Sequence, residues 1–438
     1  MVCYSPVNLE NPPVSELARV IQTEIAAQGV IPFARFMELA LYHPGLGYYE
    51  TGRDPVGFRG DFYTSVSTGE LFGQLLAFRF ARWLEELPPA AGRRIVEAGA
   101  HDGRLARDIL AWLRQHRPEL SATLQYWILE PSARRRAWQQ ENLREFGGQV
   151  QWSDDWPAIT KLHGSVSRAQ PDAAPERRSP TGFGRTPDVS RSETGAPAGL
   201  PTKAVADRPP SLSAILFSNE LLDAFPVHRF GWDATRHHWF EWGVGLADGR
   251  FTWMKMPPPA GGSEPGVSLP EALLNVLPEG YILETCPAAE HWWRTAAGML
   301  DQGRLLTLDY GFTTEEMISP ARTRGTLRAY ARHQAGEDLL INPGEQDLTA
   351  HVNFSTLQAA GESAGLTTEG YLTQPQFLTA ILADAVQDEA FRAWTPGRTR
   401  QFQTLTHPQH LGRAFKVLIQ RRAGGNSKNQ NPNIKPQS

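Results

Sequence analysis

From residue 93 the chain alternates short apolar runs with amphipathic helical stretches: "RIVEAG", then 103–116, then "LQYWILEP", then 132–146, then "GQVQWSDD". A βαβαβ run of this kind is satisfied by a parallel sheet with helices on both faces, because each crossover helix must bury its apolar stripe against the strands. Two further strands, in "LSAILFSNELLDAF" and "GRLLTLDYGF", each end in polar residues. Ligands of open α/β sheets bind outside the carboxyl ends of the strands, so these polar ends are expected to face one crevice. The predicted fold class is α/β, with a Rossmann-like, mostly parallel sheet.

The flanking sequence divides the chain. Within residues 1–90, Leu17, Val20, Ile21 and Ile25 recur at helical spacing before Gly29, and Leu71, Phe72, Leu75, Leu76, Phe80, Trp83 and Leu84 repeat the period again. This predicts a helical N-terminal region that borders the crevice. The core follows in two halves, 91–162 and 213–423, separated by 163–212, a Pro-, Ser-, Gly- and Arg-rich stretch that reads as a disordered insertion. Residues 227–256 read as an inserted β-hairpin, "HHWFEW" and "RFTWMKM" about the turn "LADGR", and 424–438 as a disordered tail.

Composition narrows the function classes. A formal net charge of −4 gives no basic field, which argues against a nucleic-acid partner. Cys3 and Cys286 are too few and too far apart for a disulfide framework or a cysteine metal cluster, and no metal site is expected. With no secretory leader and no run approaching 18 apolar residues, membrane insertion is not expected, and the reading is a cytoplasmic protein.

The chemistry concentrates at the strand ends. In "VEAGAHDGRL", Gly99 and Gly103 allow close approach of backbone to a ligand, and Glu130 ends the second strand, where an acid can accept hydrogen bonds from two ribose hydroxyls. Nicotinamide-dinucleotide and S-adenosylmethionine enzymes both use this arrangement. A dinucleotide needs a third glycine where His101 stands, and Glu97 and Asp102 suit a cationic sulfonium and free amine better than pyrophosphate. "SNELLDAF" brings Asn219, Glu220 and Asp223 to the crevice, as polar ligand contacts or as the start of a capped helix. Asp61, Thr64 and Ser65 in "GDFYTS" either hydrogen-bond a ligand or cap the helix near Thr68; Asp309 and Tyr310 end another strand. Asp347 and His351 share a face if "DLTAHVNF" is helical.

Taken in order, "FMELALYHPGLGYYE", "GDFYTS", "LFGQLLA", "VEAGAHDGRLARDIL", "SNELLDAFPVHRF", "LLTLDYGF", "GTLRAYARHQ" and "DLTAHVNFSTL" resemble the MidA-like family of S-adenosylmethionine-dependent methyltransferases over about residues 14–420, the insertion excepted. The resemblance implies a class I methyltransferase core with S-adenosyl-L-methionine as cofactor. It places Asp61, Thr64, Ser65, Glu97, Gly99, His101, Gly103, Glu130 and Asn219 at the cofactor cleft, and makes Glu220 and Asp223, with His351 beside them, candidates for catalysis. The family includes the mitochondrial arginine methyltransferase needed for assembly of respiratory complex I. This implies a protein substrate modified on arginine, with a complex I subunit as one candidate partner; apart from the resemblance, the hairpin or the helical region offers a surface for a homodimer. Two departures stand out: the family loop carries glycine where this chain has His101, and a Pro-Glu pair where it has Val66 and Ser67. Two alternatives stay open at this point: a methyltransferase fold that acts only by holding a partner protein, and a nicotinamide-dependent oxidoreductase.

Overall fold

The computed structural model describes residues 15–51, 64–88, 92–156, 159, 212–258, 264–267, 269–331, 334–336, 338–412 and 414–424. Asp61, nearly all of 163–212 and nearly all of 424–438 therefore lie outside the described residues; Leu212 already opens a strand.

Helix α1 (Glu16–Gln28) starts at Ser15, whose hydroxyl accepts the Ala18 amide, and ends at Gly29, which takes the left-handed φ of 83° that a side chain would resist. A short strand β1 (Ile31–Pro32) leads into α2 (Phe33–Tyr42), and α3 (Leu71–Glu85) follows. The alternating segment then folds as β2 (Arg93–Ala98), α4 (Arg104–His116), α5 (Pro118–Thr123), β3 (Leu124–Leu129), α6 (Ala133–Asn142) and β4 (Val150–Ser153). The second half supplies β5 (Leu212–Asn219), α7 (Pro287–Met299), β10 (Leu300–Phe312), β14 (Val352–Asn353), β15 (Thr367–Thr373) and β16 (Phe415–Arg422) to the same sheet and its covering layer. Strand order is β15-β16-β10-β5-β2-β3-β4. The strands from β10 to β4 are mutually parallel, and β16 is antiparallel to both neighbours.

Both faces of this sheet are covered. Ile95, Ile128, Phe217 and Leu306 pack under α3 and α4 with Leu76, Phe80 and Ile109, while Val96, Trp127, Leu216 and Leu305 face Trp293 and Leu357 on the other side. Burial on both faces explains why these strands read as continuous apolar runs. Strand order reverses between β2 and β5, and a crevice opens at such a reversal.

The aromatic segment is larger than the hairpin its sequence suggests. Strands β6 (His228–Asp233), β7 (His238–Ala247) and β8 (Arg250–Lys255) join β1 and β9 (Ile282–Thr285) in an antiparallel five-stranded sheet. The addition is tertiary: β1 and β9 are too short to declare themselves and exist because β7 and β6 offer them free edges. Against this sheet lie α1 and α2, in a core with Ile21, Phe33, Phe36, Val244 and Leu348. Strands β11 (Arg328–Ala331), β12 (Gln334–Gly336) and β13 (Asp347–Thr349) form a small third sheet beside it. Asp347 thus lies on a strand and His351 on the short extended link between β13 and β14, where the spacing had allowed a helix.

Candidate active site

The strand ends enclose a cleft of about 990 Å³ whose walls come from the loop after β2, the ends of β3, β4, β5 and β10, and the N-terminal region. At one end is the glycine loop. Gly99 and Gly103 have φ of 72° and 84°, and between them His101 takes the left-handed φ of 48°. Histidine tolerates that conformation better than most side chains, so the turn survives the loss of a glycine. Gly99 is needed for space as well as for conformation: a Cβ there would lie 2.7 Å from Leu221 Cδ1. Gly103 closes the turn through its amide to Ala100 O (2.7 Å) and starts α4. The His101 ring lines the cleft, with Nδ1 3.8 Å from Asp102 Oδ1.

Two buried acids flank this loop. Glu97 accepts the Tyr126 hydroxyl at 2.7 Å, and burial pushes its carboxyl up to about 8. Glu130 accepts the Ser132 amide at 3.0 Å and the Gln139 side-chain amide at 3.2 Å, and burial also raises its proton affinity. Asp154, Asp155 and Trp156 follow β4 into the same cleft, and Arg135 lines it from α6. These four went unremarked in the sequence, although "WSDDW" ends a strand of the same parallel sheet and the strand-end rule covers it.

The other end is acidic and aromatic. Glu220, at a left-handed φ of 51°, accepts the Ser65 amide and the Asn219 side-chain amide, each at 3.1 Å, and burial lifts its carboxyl to about 8. Asp223 accepts the Tyr310 hydroxyl through Oδ2, and burial raises it to about 6. Its Oδ1 and the Oδ1 of Asn219 are buried without a hydrogen-bond partner. Tyr49 donates to Asp347 at 2.7 Å, and Tyr42, Tyr310, Asp347 and His351 line the same end. His351 stacks on Phe312 at 4.9 Å between ring centroids, and burial depresses it to about 4, so it is neutral at physiological pH. Its Nδ1 is buried with no partner.

Three expectations change here. No helix follows Asn219, so it is not a cap; a single 3-10 turn, Leu222–Ala224, carries Asp223 instead. Asp309 turns its carboxylate onto the Leu222 and Leu221 amides at 2.9 and 3.2 Å, and so shapes the turn that carries the acids. Thr64 and Ser67 clasp a 3-10 turn through reciprocal amide–hydroxyl bonds of 2.9 and 3.1 Å, and the first amide of α3 goes to Gln401 rather than to a cap in "GDFYTS". Thr64 lines the cleft, while Ser65 is buried behind it. Among the described residues no cluster of three or more potential metal ligands occurs, and no helix is long and apolar enough to cross a membrane.

A family model for S-adenosyl-L-methionine-dependent methyltransferases matches residues 75–168 and 201–372. The chain belongs to this family. A Burkholderia thailandensis protein described as a likely methyl transferase, solved with S-adenosyl-homocysteine bound, is 30% identical, with 95% of each chain covered and a TM-score of 0.69. A mouse relative named protein arginine methyltransferase NDUFAF7, mitochondrial, is 27% identical, with 98% of this chain and 91% of the relative covered. A Drosophila melanogaster relative named as the homologue of that protein is 25% identical over 92% of this chain. The expected cytoplasmic location is overturned by these relatives, which are named as mitochondrial proteins.

The cleft of this methyltransferase fits its cofactor on its own evidence. A glycine cradle that a Cβ would fill sits beside a buried acid at the end of β3. The unpartnered carbonyl oxygen of Asn219 suits a ligand that carries N–H groups.

Proposed function

We propose that this S-adenosylmethionine-dependent methyltransferase modifies arginine side chains of a protein. The observation that carries the reading is the acid end of the cleft, where the partnerless Asp223 oxygen lies with Glu220, Asp347 and the unprotonated His351 in a pocket walled by Tyr42, Tyr49 and Tyr310. The arginine methyltransferase names of the relatives support it.

In this reading Glu97, Gly99, His101, Gly103, Glu130 and Asn219 hold the cofactor, with Thr64 and Ser65 bracing the wall and Asp61 assigned to it from the sequence. Bound S-adenosylmethionine supplies a methyl group activated by its sulfonium. A guanidinium, with a pKa of about 12.5 or above, enters protonated and has no lone pair to offer until its charge is neutralised. Glu220 and Asp223 receive its N–H groups. Burial raises the proton affinity of both, Glu220 to about 8 and Asp223 to about 6; an entering cation lowers it, so Glu220 sheds its proton and stands beside an Asp223 already largely ionised at neutral pH. The new nitrogen–carbon bond would form as the sulfur–methyl bond breaks, leaving neutral S-adenosylhomocysteine, and the departing guanidinium proton passes to one of these carboxylates. His351, neutral and held by Phe312, accepts an N–H at Nδ1 and orients the plane of the guanidinium.

Cell extract incubated with the protein and methyl-labelled cofactor, hydrolysed and analysed by mass spectrometry, is expected to yield methylarginine. Label confined to other residues sinks the arginine assignment; cofactor binding with no label anywhere favours a protein-holding role. A complex I subunit as substrate rests on the family resemblance alone and is tested by identifying the labelled chain; a homodimer through the aromatic strands or the helical region is tested by light scattering.

A further inference from the structure

The loop's least expected residue is held by a side chain far from it in sequence. Gln139, on α6, is completely buried. Its amide nitrogen donates to the His101 carbonyl at 3.0 Å and to Glu130 Oε2 at 3.2 Å, and its oxygen accepts the Trp152 indole N–H at 3.0 Å. Both donor hydrogens and the acceptor of one amide are thereby committed, and they tie together the loop after β2, the acid at the end of β3 and a residue of β4.

The three bonds differ in what they fix. Trp152 anchors the amide and sets which way its nitrogen points. With the nitrogen fixed, one hydrogen meets the carbonyl of the single non-glycine residue of the turn whose backbone is left-handed, and the other meets the acid. For histidine the left-handed state lies above the right-handed one, so the conformation needs an external hold. Flipping His101 to a negative φ would swing its carbonyl away and leave a buried donor on Gln139 without a partner, at the cost of a lost buried hydrogen bond. Asn142, one turn further along α6, holds the next carbonyl, that of Asp102, at 2.8 Å. The α6 face thus grips successive carbonyls of the loop.

We infer that Gln139 is a positioning residue that keeps His101 in the left-handed conformation glycine would adopt unaided, and in doing so aims Glu130 into the cleft. The inference rests on the methyltransferase reading for its functional consequence, but its structural half does not. Gln139 touches no reacting atom in this role. Histidine is admitted to a glycine position because α6, the crossover helix between β3 and β4, carries the amide that holds it there.

A two-by-two comparison tests it: the intact protein, Gln139→Met, His101→Gly and the double variant, each measured for urea unfolding and for S-adenosylhomocysteine affinity by calorimetry. Gln139→Met keeps the volume and removes the donors. It is expected to weaken binding tenfold or more, and His101→Gly alone, which also removes a cleft-lining side chain, supplies the reference for the double variant. In the double variant glycine reaches the left-handed state unaided, so at least threefold of the lost affinity returns, and the unfolding midpoints show the same non-additivity. A double variant as weak as Gln139→Met, or strictly additive midpoints, overturns the inference. If Gln139→Met does not fold, a folded double variant supports the inference and an unfolded one overturns it. Failure of the intact protein to bind the ligand would sink the methyltransferase reading, while the unfolding midpoints would still decide whether Gln139 holds His101.

Discussion

The glycine-loop end of the cleft is drawn from two βα turns of one continuous segment, residues 97–105 and 129–135, with α6 close behind. The acid end gathers Tyr42 and Tyr49 from the N-terminal region, Glu220 and Asp223 from β5 and its turn, Tyr310 from β10, Asp347 and His351 beyond it, and Phe415 from the last strand. One end is local, and its conformations are written in glycines and in one histidine held like a glycine. The other is an assembly in which carboxyl groups keep their protons because burial opposes their ionisation. A site that must hold a large cofactor can be built from a loop, whereas a site that must handle a proton needs groups whose environment the whole fold controls.

The largest effect is expected where the two ends touch. Gly99→Ala forces a Cβ against Leu221, next to Glu220, at a left-handed φ. We expect a stability loss of about 2–3 kcal/mol and cofactor affinity and turnover to fall together, read by thermal unfolding and labelled methyl transfer. An affinity loss with full turnover at saturating cofactor would separate the two ends.

Next, Glu220→Gln and Asp223→Asn are expected to lower kcat by about 10²–10⁴ while cofactor affinity stays within about threefold. Glu220→Gln should at the same time stabilise the unliganded protein at pH 8 by about 1–2 kcal/mol, since a neutral amide replaces a buried carboxylate. Full turnover by either folded variant removes it from the mechanism. Glu130→Ala is the complementary change: roughly 10–100-fold weaker cofactor binding, with kcat at saturation less affected.

The smallest effect is in pH dependence. Glu97 and Glu220 hold their protons to about pH 8 in the folded chain against an ordinary value of 4.5, and Asp223 to about 6 against 3.8. The folded state therefore binds more protons than the unfolded one between these limits, and the contribution of these groups to stability, complete below about pH 4, falls as pH rises through 6 and 8. A cationic ligand at the acid end should flatten the fall and release protons on binding, measured by calorimetry in buffers of different ionisation enthalpy. A ligand that takes up protons instead would contradict the assignment. His351, depressed to about 4 against an ordinary 6.5, acts in the opposite direction: the unfolded chain takes up its proton first, so its contribution to stability, complete above about pH 7, falls as pH drops from 6.5 toward 4.

Much of the glycine-loop end was legible because its signals are local. A strand, a turn with two glycines, a helix start and an acid closing the next strand lie within about forty residues, and each states its backbone need through residue type. Asp309 shows the opposite case. The strand was expected to end at Asp309 and Tyr310, but β10 runs on to Phe312, and the use of Asp309, holding the Leu221 and Leu222 amides, depends on β10 lying beside β5. The second sheet was read as a hairpin because β1, two residues long, and β9, four residues long, carry no pattern of their own. Gln139 gave no signal at all: a glutamine on a polar helix looks like solvent-facing surface until the loop folds onto it.

The sequence alone determined the α/β core, its strand–loop–helix order and the residue types at the strand ends, because hydrophobic period and turn chemistry act over a few residues. The tertiary structure decided which of those residues meet, which oxygens are left without partners, and which acids keep their protons at neutral pH. Those properties depend on desolvation and on neighbours hundreds of residues away, and residue order carries no local record of either.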